Sequence, residues 1–384
     1  MELLSIAALK PQSRGGHSHD SRESVKPILE IFQPRCKAYR TSATRPLRKP
    51  DEPGRYNRLT ATTMQIPRDI LKRSWFLAGP TACGKSEAAI VLAARIDAEL
   101  LSMDSMSLYR GMDIGTAKPS PAQRARIPHH LLDLCAPHES FSVAQYLAAA
   151  STVASDVISR GRVPLFVGGT GLYLRALLRG VFDGPQIPPN VRKELETELT
   201  HVPAELLHER LAAVDPQAAR RIHSNDARRI VRALEVYRAT GRPLSELQRQ
   251  SPLPPQDRPQ YVFWLSAPRR WLYDRIDRRV EQMFASGLLD EVRNLLAGPL
   301  PLSHTARQAL GYKEVIAHLE QGVPLEATIR LIQTRTRQFA KRQHTWFRHL
   351  EECRPIEMTG AEAPAELADA ILKAVRCQTR PFSA

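Results

Sequence analysis

GPTACGKS, Gly79–Ser86, is the stretch that decides the fold. It fits the pattern G-x-x-x-x-G-K-[ST], in which backbone N–H groups wrap a phosphate, the lysine reaches its outer oxygens and the hydroxyl holds Mg²⁺. The apolar run Trp75–Ala78 before it predicts a buried strand, and SEAAIVLAARI after it has helical spacing. We therefore expect a phosphate-binding loop with a helix N-terminus aimed at the anion. The residues of this loop are Gly79, Pro80, Thr81, Ala82, Cys83, Gly84, Lys85 and Ser86.

Charge and composition narrow the class of protein. The chain of 384 residues has a net charge of +15, which favours a polyanionic partner such as RNA or DNA. No apolar run reaches the roughly 18 residues that a membrane span requires. The five cysteines are scattered without a C-x-x-C pair, which argues against a zinc site or a disulfide framework. We expect a soluble cytoplasmic protein of two domains with no membrane association.

Residues 1–63 are predicted to form a disordered basic extension. They hold 12 Lys and Arg against 6 Asp and Glu, with scattered Pro, Ser and Gly and no sustained periodicity. Residues 64–384 keep 43 basic and 34 acidic residues, so the folded part is basic in its own right. The alternative is that translation starts at Met64, in which case the extension does not belong to the native protein.

Two further strand ends are predicted to lie at the same edge of a sheet. The run AELLSMDS ends at Asp104, and a carboxylate at the carboxyl end of a strand in an open α/β sheet lies where ligands bind. A turn aspartate that caps the next segment is the alternative. The strand RVPLFVGGTG ends in Gly168, Gly169 and Thr170, whereas an ATPase of this class places there an Asp that orients Mg²⁺ and water. This strand end argues against nucleotide hydrolysis.

A cluster of prolines after the first core segment marks a domain boundary, and a mostly helical insertion follows it. The clearest helix of this insertion starts after Asp226 and carries Arg228, Arg229 and Arg232. Such a cluster suits a nucleic-acid backbone, with an ordinary solvated face as the alternative. The predicted division is an extension at 1–63, an α/β core at 64–187 and 254–350, a helical insertion at 188–253, and a C-terminal helix and tail at 351–384.

Two long helices are predicted in the second half of the chain. The first runs over residues 268–292 and places Arg275 and Arg279 on one face. These arginines suit a clamp on a second phosphate or a leaving pyrophosphate, and pairing with neighbouring acidic residues is the alternative. The second helix, from about residue 327 to residue 350, interleaves basic and aromatic residues, as nucleic-acid surfaces do.

Seven segments together resemble the tRNA dimethylallyltransferases, the enzymes that prenylate N6 of adenosine 37 beside the anticodon. The resemblance covers residues 72–350 in the family's order. It implies a P-loop NTPase-like α/β core with a parallel sheet and an inserted helical domain that grips the anticodon stem. It also implies that Gly79–Ser86 holds the diphosphate of dimethylallyl diphosphate instead of ATP. The segments are GPTACGKS, SMDSMSLYRGMDIGTAKP, PHHLLD, LFVGGTGLY, HSNDARRIVRALEVY, ARQALGYKE and AKRQHTWFR.

The resemblance also implies roles for individual residues. Asp104 would act as general base on the adenine N6, because an aromatic amine is a poor nucleophile whose proton must leave as the C–N bond forms. The Thr81 hydroxyl would lie at the bridging oxygen of the donor. Lys85, Arg279 and a Mg²⁺ ion on Ser86 would stabilise the departing pyrophosphate. Which of the two clamp arginines is the main one stays open.

The acceptor adenine would have to leave its stacked loop and enter a channel from the side opposite the diphosphate. The zinc finger of many eukaryotic members has no counterpart, which favours a bacterial-type enzyme, and we expect it to act as a monomer. By motif match, the residues that face the tRNA anticodon stem-loop would be Asp104, Ser105, Met106, Ser107, Thr170, Arg192, Arg228, Arg229, Ile230, Val231, Arg232, Gln308, Ala309, Leu310, Gly311, Tyr312, Lys313, Lys341, Arg342, Gln343, His344, Thr345, Trp346, Phe347 and Arg348.

Two other functions stay open from the sequence. An adenylate isopentenyltransferase, which prenylates AMP or ATP, would share the phosphate-binding loop, but a mononucleotide requires no extended cationic surface. An RNA-binding P-loop ATPase, or a noncatalytic RNA binder, belongs to a different class, and RNA-stimulated ATP hydrolysis would favour it.

Overall fold

A computed structural model of the chain describes residues 62–183, 189–248 and 251–377. The basic extension predicted for residues 1–63 lies outside this range, except for residues 62 and 63 at the start of the first strand. In the described part of the chain, no helix carries an apolar stretch long enough to cross a lipid bilayer.

The centre of the fold is a six-stranded sheet in which every pairing is parallel. The strands are β1 (Thr62–Met64), β2 (Trp75–Ala78), β3 (Ala98–Ser102), β4 (His129–His130), β5 (Val163–Gly168), β6 (Val181–Asp183), β7 (Tyr261–Ser266) and β8 (Arg354–Glu357). The sheet has the order β4-β3-β5-β2-β7-β8, and β1 pairs with β6 as a separate antiparallel ribbon. The strands β3, β5 and β2 are parallel neighbours in this order. The loops that leave their carboxyl ends therefore meet at one edge of the sheet.

Helices cover both faces of the sheet. Phe76 of β2 packs into one hydrophobic core and its neighbour Leu77 into the other, as the alternation of side chains along a strand requires. The helices are α1 (Arg68–Arg73), α2 (Lys85–Ile96), α3 (Pro121–Arg126), α4 (Val143–Ser159), α5 (Gly171–Arg179), α6 (Pro189–His201), α7 (Ala204–Val214), α8 (Pro216–Arg221), α9 (Ala227–Thr240), α10 (Leu244–Leu247), α11 (Arg269–Ala285), α12 (Leu288–Leu296), α13 (His304–Arg307), α14 (Tyr312–Gln321), α15 (Leu325–Arg348) and α16 (Pro364–Arg376). Helices α4 and α5 contribute to the core with Phe76, and α2 and α16 to the core with Leu77.

Helices α6 to α10 share a third hydrophobic core of their own. Leu211 and Leu234 are fully buried in it. Asp215, also buried, accepts the Ala218 N–H at 2.9 Å and the Ser245 N–H at 2.8 Å, so one carboxylate ties α8 to the start of α10. This separate core supports the prediction of a helical insertion, and the predicted bounds of that insertion, residues 188–253, stay a prediction.

The structure differs from the sequence-based helix assignments at two places. The helix predicted over 268–292 is broken, because Ser286 and Gly287 separate α11 from α12 and Gly287 adopts a φ of 96°. The segment assigned as a C-terminal helix and tail also contains β8, which pairs with β7 and so extends the core sheet beyond residue 350. A four-residue strand carries too little periodicity to be separated from a turn in the sequence.

Candidate active site

The loop Gly79–Ser86 connects the carboxyl end of β2 to the N-terminus of α2, as predicted. Gly84 has a φ of 88°, a conformation that favours glycine, and no side chain of the described residues caps this end of α2. The N–H groups of the first helical turn are therefore available to an anion. Burial lowers the pKa of Lys85, whose ammonium group donates a hydrogen bond to the Pro80 carbonyl at 3.3 Å.

Asp104 lies just beyond β3 and is held by its own loop. Its Oδ1 accepts the N–H of Met106 at 2.8 Å and that of Ser107 at 3.4 Å. Its Oδ2 makes no hydrogen bond or ion pair with any residue that the structure describes. The turn after β5 supports this loop, since the Thr170 hydroxyl oxygen accepts the Ser105 N–H at 3.1 Å. One carboxylate oxygen is thus fixed by the loop, and the other is free of partners among the described residues.

The two candidate clamp arginines have different surroundings. The Arg275 Nε donates to the Ala82 carbonyl at 2.9 Å, and its guanidinium lies 4.8 Å from the ring centre of Trp271. Arg279 makes no ion pair within the described residues, and burial lowers its pKa while the negative charge of Asp104 raises it. Arg275 therefore holds the backbone of the phosphate-binding loop, whereas the guanidinium of Arg279 is available to a ligand anion.

A cavity of about 670 Å³ joins these residues. Thr81, Lys85, Ser86, Asp104 and Arg279 are among its polar lining residues. Its apolar wall is formed by Ile276, Val280, Met283, Ile332 and Phe339. A second cavity of about 370 Å³ lies against the same loop and is lined by Lys85, Ser86, Arg275, Arg278 and Arg279. The larger cavity can hold a ligand that carries an anionic head and an apolar body.

Sequence comparison matches residues 107–350 to the family described as "IPP transferase". A tRNA dimethylallyltransferase from Geobacter metallireducens is 46% identical over 282 residues, which cover 73% of this chain and 91% of that protein. The chain therefore belongs to the IPP transferase family.

Solved structures of related enzymes agree with this assignment and with the P-loop NTPase-like fold. The full-length tRNA isopentenylpyrophosphate transferase from Bacillus halodurans is 36% identical, with a TM-score of 0.57 and coverage of 80% of this chain and 100% of that one. A eukaryotic dimethylallyltransferase, solved acting on tRNA, is 27% identical with a TM-score of 0.67, and 81% of each chain is covered. By sequence alone, a tRNA dimethylallyltransferase from Thermotoga neapolitana is 45% identical over 273 residues, which cover 71% of this chain and 88% of that protein.

Many of the residues predicted to face tRNA line the larger cavity or lie near it. The cavity is lined by Asp104, Ser105, Met106, Ser107, Thr170, Arg228, Gln308, Ala309, Leu310, Gly311, Tyr312, Lys313, Arg342 and Gln343. Arg228 comes from α9, so the helical insertion contributes to the same cavity as the phosphate-binding loop. Arg229 and Arg232 are exposed and pair with Asp226 and Glu235. Arg192 lies in α6, and its side chain is outside the described part.

Five residues predicted to face tRNA belong to hydrophobic cores; of these, Ala309 and Tyr312 also line the cavity, and the other three do not. Ile230 and Val231 are buried in the core of the insertion, and Phe347 is buried between α15 and the sheet. The reason is helical periodicity: consecutive residues of a helix point in different directions, so a run of helix cannot present every side chain to one partner. Two others have protein partners. The His344 ring packs edge-on against the Trp264 ring, with 4.8 Å between the ring centres. Gln343 is 4% exposed and bonds to the backbone of Thr81 and Gly169.

Four further predicted residues of α15 form an exposed, largely basic surface. Lys341, Arg342, Thr345 and Arg348 are exposed, and the three cations make no ion pair in the described residues. Sequence reasoning missed one further cation. The Arg175 guanidinium of α5 lies 5.2 Å from the ring centre of Trp346, without a carboxylate partner in the described part of the chain. Arg175 lies five residues after Thr170, and no spacing or pattern in the sequence distinguishes it from the other arginines.

A second residue that sequence reasoning missed is Glu291. Its carboxylate accepts the N–H groups of Asp113 at 3.0 Å, Ile114 at 2.7 Å and Gly115 at 3.3 Å. It also accepts the Tyr312 hydroxyl at 2.6 Å, and burial together with this bond raises the pKa of Tyr312. The Tyr312 hydroxyl, predicted to face tRNA, thus shapes the loop that forms one wall of the cavity.

A metal ion would have few protein ligands here. The described residues contain no group of three or more His, Cys, Asp and Glu side chains that could hold one. Ser86, in the first turn of α2, lines both cavities and supplies one hydroxyl oxygen. This donor set fits Mg²⁺, which keeps several waters and binds one or two protein oxygens together with phosphate oxygens of a substrate.

Proposed function

We propose that this chain transfers the dimethylallyl group of dimethylallyl diphosphate to N6 of adenosine 37 in tRNA and releases diphosphate. One observation carries the proposal: a single cavity contains the phosphate-binding loop, Asp104 and the segments that match the family's tRNA-facing motifs. A donor and an acceptor bound in this cavity would meet at Asp104. The names of the similar enzymes, which give tRNA as the acceptor and dimethylallyl as the group transferred, support the proposal.

The donor would bind with its diphosphate against the first turn of α2. Lys85 and Arg279, neither of which has an acidic partner in the described part, would neutralise the diphosphate. The contacts of Arg275 with Ala82 and Trp271 support Arg279 as the main clamp. The apolar wall around Val280 and Ile332 would accept the isoprenoid chain.

In the transfer step, the bond between the donor's C1 and its diphosphate oxygen breaks as the bond between N6 and C1 forms. The unpartnered Oδ2 of Asp104 would accept the N6 proton. The Thr81 hydroxyl would donate to the bridging oxygen, and Lys85 and Arg279 would stabilise the charge that develops on diphosphate. Ser86 would hold Mg²⁺ together with diphosphate oxygens, and the ion would supply further charge neutralisation.

The acceptor side is basic over a wide area. Arg228, Lys313, Lys341, Arg342 and Arg348 are exposed and make no ion pair among the residues that the structure describes. Such unpaired cations suit the phosphate backbone of an RNA, which would deliver a flipped adenine into the cavity. We propose that the insertion, residues 188–253, grips the anticodon stem.

This basic surface disfavours an adenylate isopentenyltransferase, because AMP could contact only a few of these cations. An RNA-stimulated ATPase is disfavoured by β5, which ends at Gly168 and continues to Gly169 and Thr170 without a carboxylate. We propose that the chain acts as a monomer, since the groups assigned to the reaction line one cavity of this chain. A tRNA acceptor supports a cytoplasmic location.

The test is an incubation of the purified chain with labelled dimethylallyl diphosphate and unmodified tRNA. Label should enter the RNA and appear as N6-(dimethylallyl)adenosine after nucleoside digestion. A tRNA with guanosine at position 37 and free AMP serve as matched controls and should stay unlabelled. Label in AMP alone would support the adenylate enzyme, and ATP hydrolysis without label would support the ATPase.

A further inference from the structure

Gln343 is a buried amide that joins two loops of the site. It lies on α15, is 4% exposed and lines the larger cavity. Its Oε1 accepts the backbone N–H of Thr81 at 2.9 Å, and its Nε2 donates to the carbonyl of Gly169 at 2.8 Å. One side chain therefore connects the loop after β2 to the loop after β5.

The packing around this amide is close on the Gly169 side. A Cβ atom on Gly169 would lie 2.3 Å from the Gln343 Nε2, so position 169 admits no side chain unless the amide moves. Both polar ends of the amide are satisfied, one by a donor and one by an acceptor. A glutamine is suited to this place, because it carries both functions on one rigid plane at the end of a long side chain.

The two loops hold the groups that must meet in the transfer step. Thr81 belongs to the donor loop. Gly169 precedes Thr170, whose N–H donates to the Met103 carbonyl at 3.3 Å and whose hydroxyl accepts the Ser105 N–H at 3.1 Å. Met103 and Ser105 flank Asp104. Hydrogen bonds, joined by the peptide bond between Gly169 and Thr170, therefore connect Thr81 through Gln343 to the loop of Asp104.

We propose that Gln343 is a positioning residue that fixes the spacing between Thr81 and Asp104, and hence between the leaving oxygen and the base. The proposal rests on the proposed function, because it assigns the two loops to donor and acceptor. Both hydrogen bonds of Gln343 go to backbone groups, so the proposal gives it no contact with the reacting atoms. Its neighbours Lys341 and Arg342 are exposed on the same helix, so the helix that faces the RNA also carries the residue that aligns the donor loop.

The test compares Gln343→Met, which keeps length and burial but removes both hydrogen bonds, with Gln343→Glu, which keeps the acceptor for Thr81. Gln333→Met is the matched control, because Gln333 lies on α15 outside the cavity and contacts Asp277 and Glu281. In Gln343→Met we expect kcat to fall about 10- to 100-fold, as displacements near 1 Å do in active sites. The Kd values for inorganic diphosphate and for tRNA should change less than about threefold, because the groups that bind them remain.

Amide hydrogen exchange at Thr81 provides a readout that does not depend on activity. Exchange should speed up in Gln343→Met and stay slow in Gln343→Glu and in Gln333→Met. A native kcat in Gln343→Met would overturn the proposal, as would a fall in kcat matched by equal losses in both binding constants. If the unsubstituted chain transfers nothing to tRNA, the proposed function fails. In that case, unchanged exchange at Thr81 in Gln343→Met would overturn the positioning role by itself.

Discussion

Replacement of Asp104 by asparagine is the most direct test of the proposed chemistry. Asparagine has the same shape as aspartate and keeps an oxygen that can accept the N–H groups of Met106 and Ser107, now bonded to Oδ1 at 2.8 and 3.4 Å. The loop should therefore keep its conformation. What changes is the second oxygen, which has no partner among the described residues and becomes an NH₂ group that cannot accept a proton.

The expected loss follows from the role of a general base. Such a group contributes a factor of about 10² to 10⁴ in rate, which corresponds to about 3–5 kcal/mol of transition-state stabilisation. Diphosphate binding should stay the same or become tighter. The negative charge of Asp104 would repel a bound diphosphate, and Asp104→Asn removes this repulsion. Asp104 also partly offsets the lowering of the Lys85 and Arg279 pKa values by burial, an effect that the charge of a bound diphosphate would replace.

The assay is single-turnover transfer from labelled dimethylallyl diphosphate to unmodified tRNA, with diphosphate affinity measured by calorimetry. Asp290→Asn is a suitable control, because Asp290 is an exposed aspartate that pairs with Arg293 at the surface of α12. A transfer rate within about threefold of the unsubstituted chain would refute the assignment of Asp104 as the base. A large loss of diphosphate affinity would show instead that Asp104 shapes the donor site.

Three further predictions concern the framework of the site. In Gly168→Ala the new Cβ would lie 2.0 Å from the Met103 carbonyl oxygen, so β3 and β5 must separate. We expect the free energy of unfolding in urea to fall by about 1–3 kcal/mol. Unchanged stability would contradict this packing. In Glu291→Gln the backbone N–H groups of Asp113–Gly115 lose the carboxylate that accepts them. Steady-state kinetics should therefore show that KM rises by a larger factor than kcat falls. An unchanged KM would argue against a role of Glu291 in shaping the cavity. The pKa of Glu99 is lowered from 4.5 to about 2, chiefly by Arg160, so its stabilising contribution is complete above pH 4.5 and is lost as the pH falls towards 2. Glu99→Gln should flatten the acid limb of a plot of thermal melting temperature against pH, and an unchanged acid limb would exclude this carboxylate as a source of acid sensitivity.

Much of the fold could be predicted because its signals are local. The strand, glycine loop and helix around Lys85 lie within about two dozen consecutive residues, and each element has a pattern of its own. The same holds for β3 with Asp104 and for β5 with its glycines. Parallel strands bring their carboxyl ends to one edge, so these local patterns were sufficient to place Asp104 at the same edge as the loop, while the parallel sheet itself was implied by the resemblance to the family.

Sequence patterns were less reliable for predicting where a helix is interrupted and which of its side chains are buried. The break at Gly287 interrupts a run whose composition is helical on both sides. Ile230, Val231 and Phe347 belong to segments that match the family's motifs, yet all three are buried. A motif covers consecutive residues, whereas a helix presents only the side chains of one face to a given partner. Burial depends on which element packs against the helix.

The sequence by itself determined the phosphate-binding loop, the parallel sheet around it and the family to which the chain belongs. Only the tertiary structure decided how the site is held together. Gln343 meets Thr81 across 262 positions of the chain, and Arg275 meets Ala82 across 193. Contacts at such separations arise from the way helices pack on the sheet, and they leave no periodicity or spacing in the sequence from which they could be predicted.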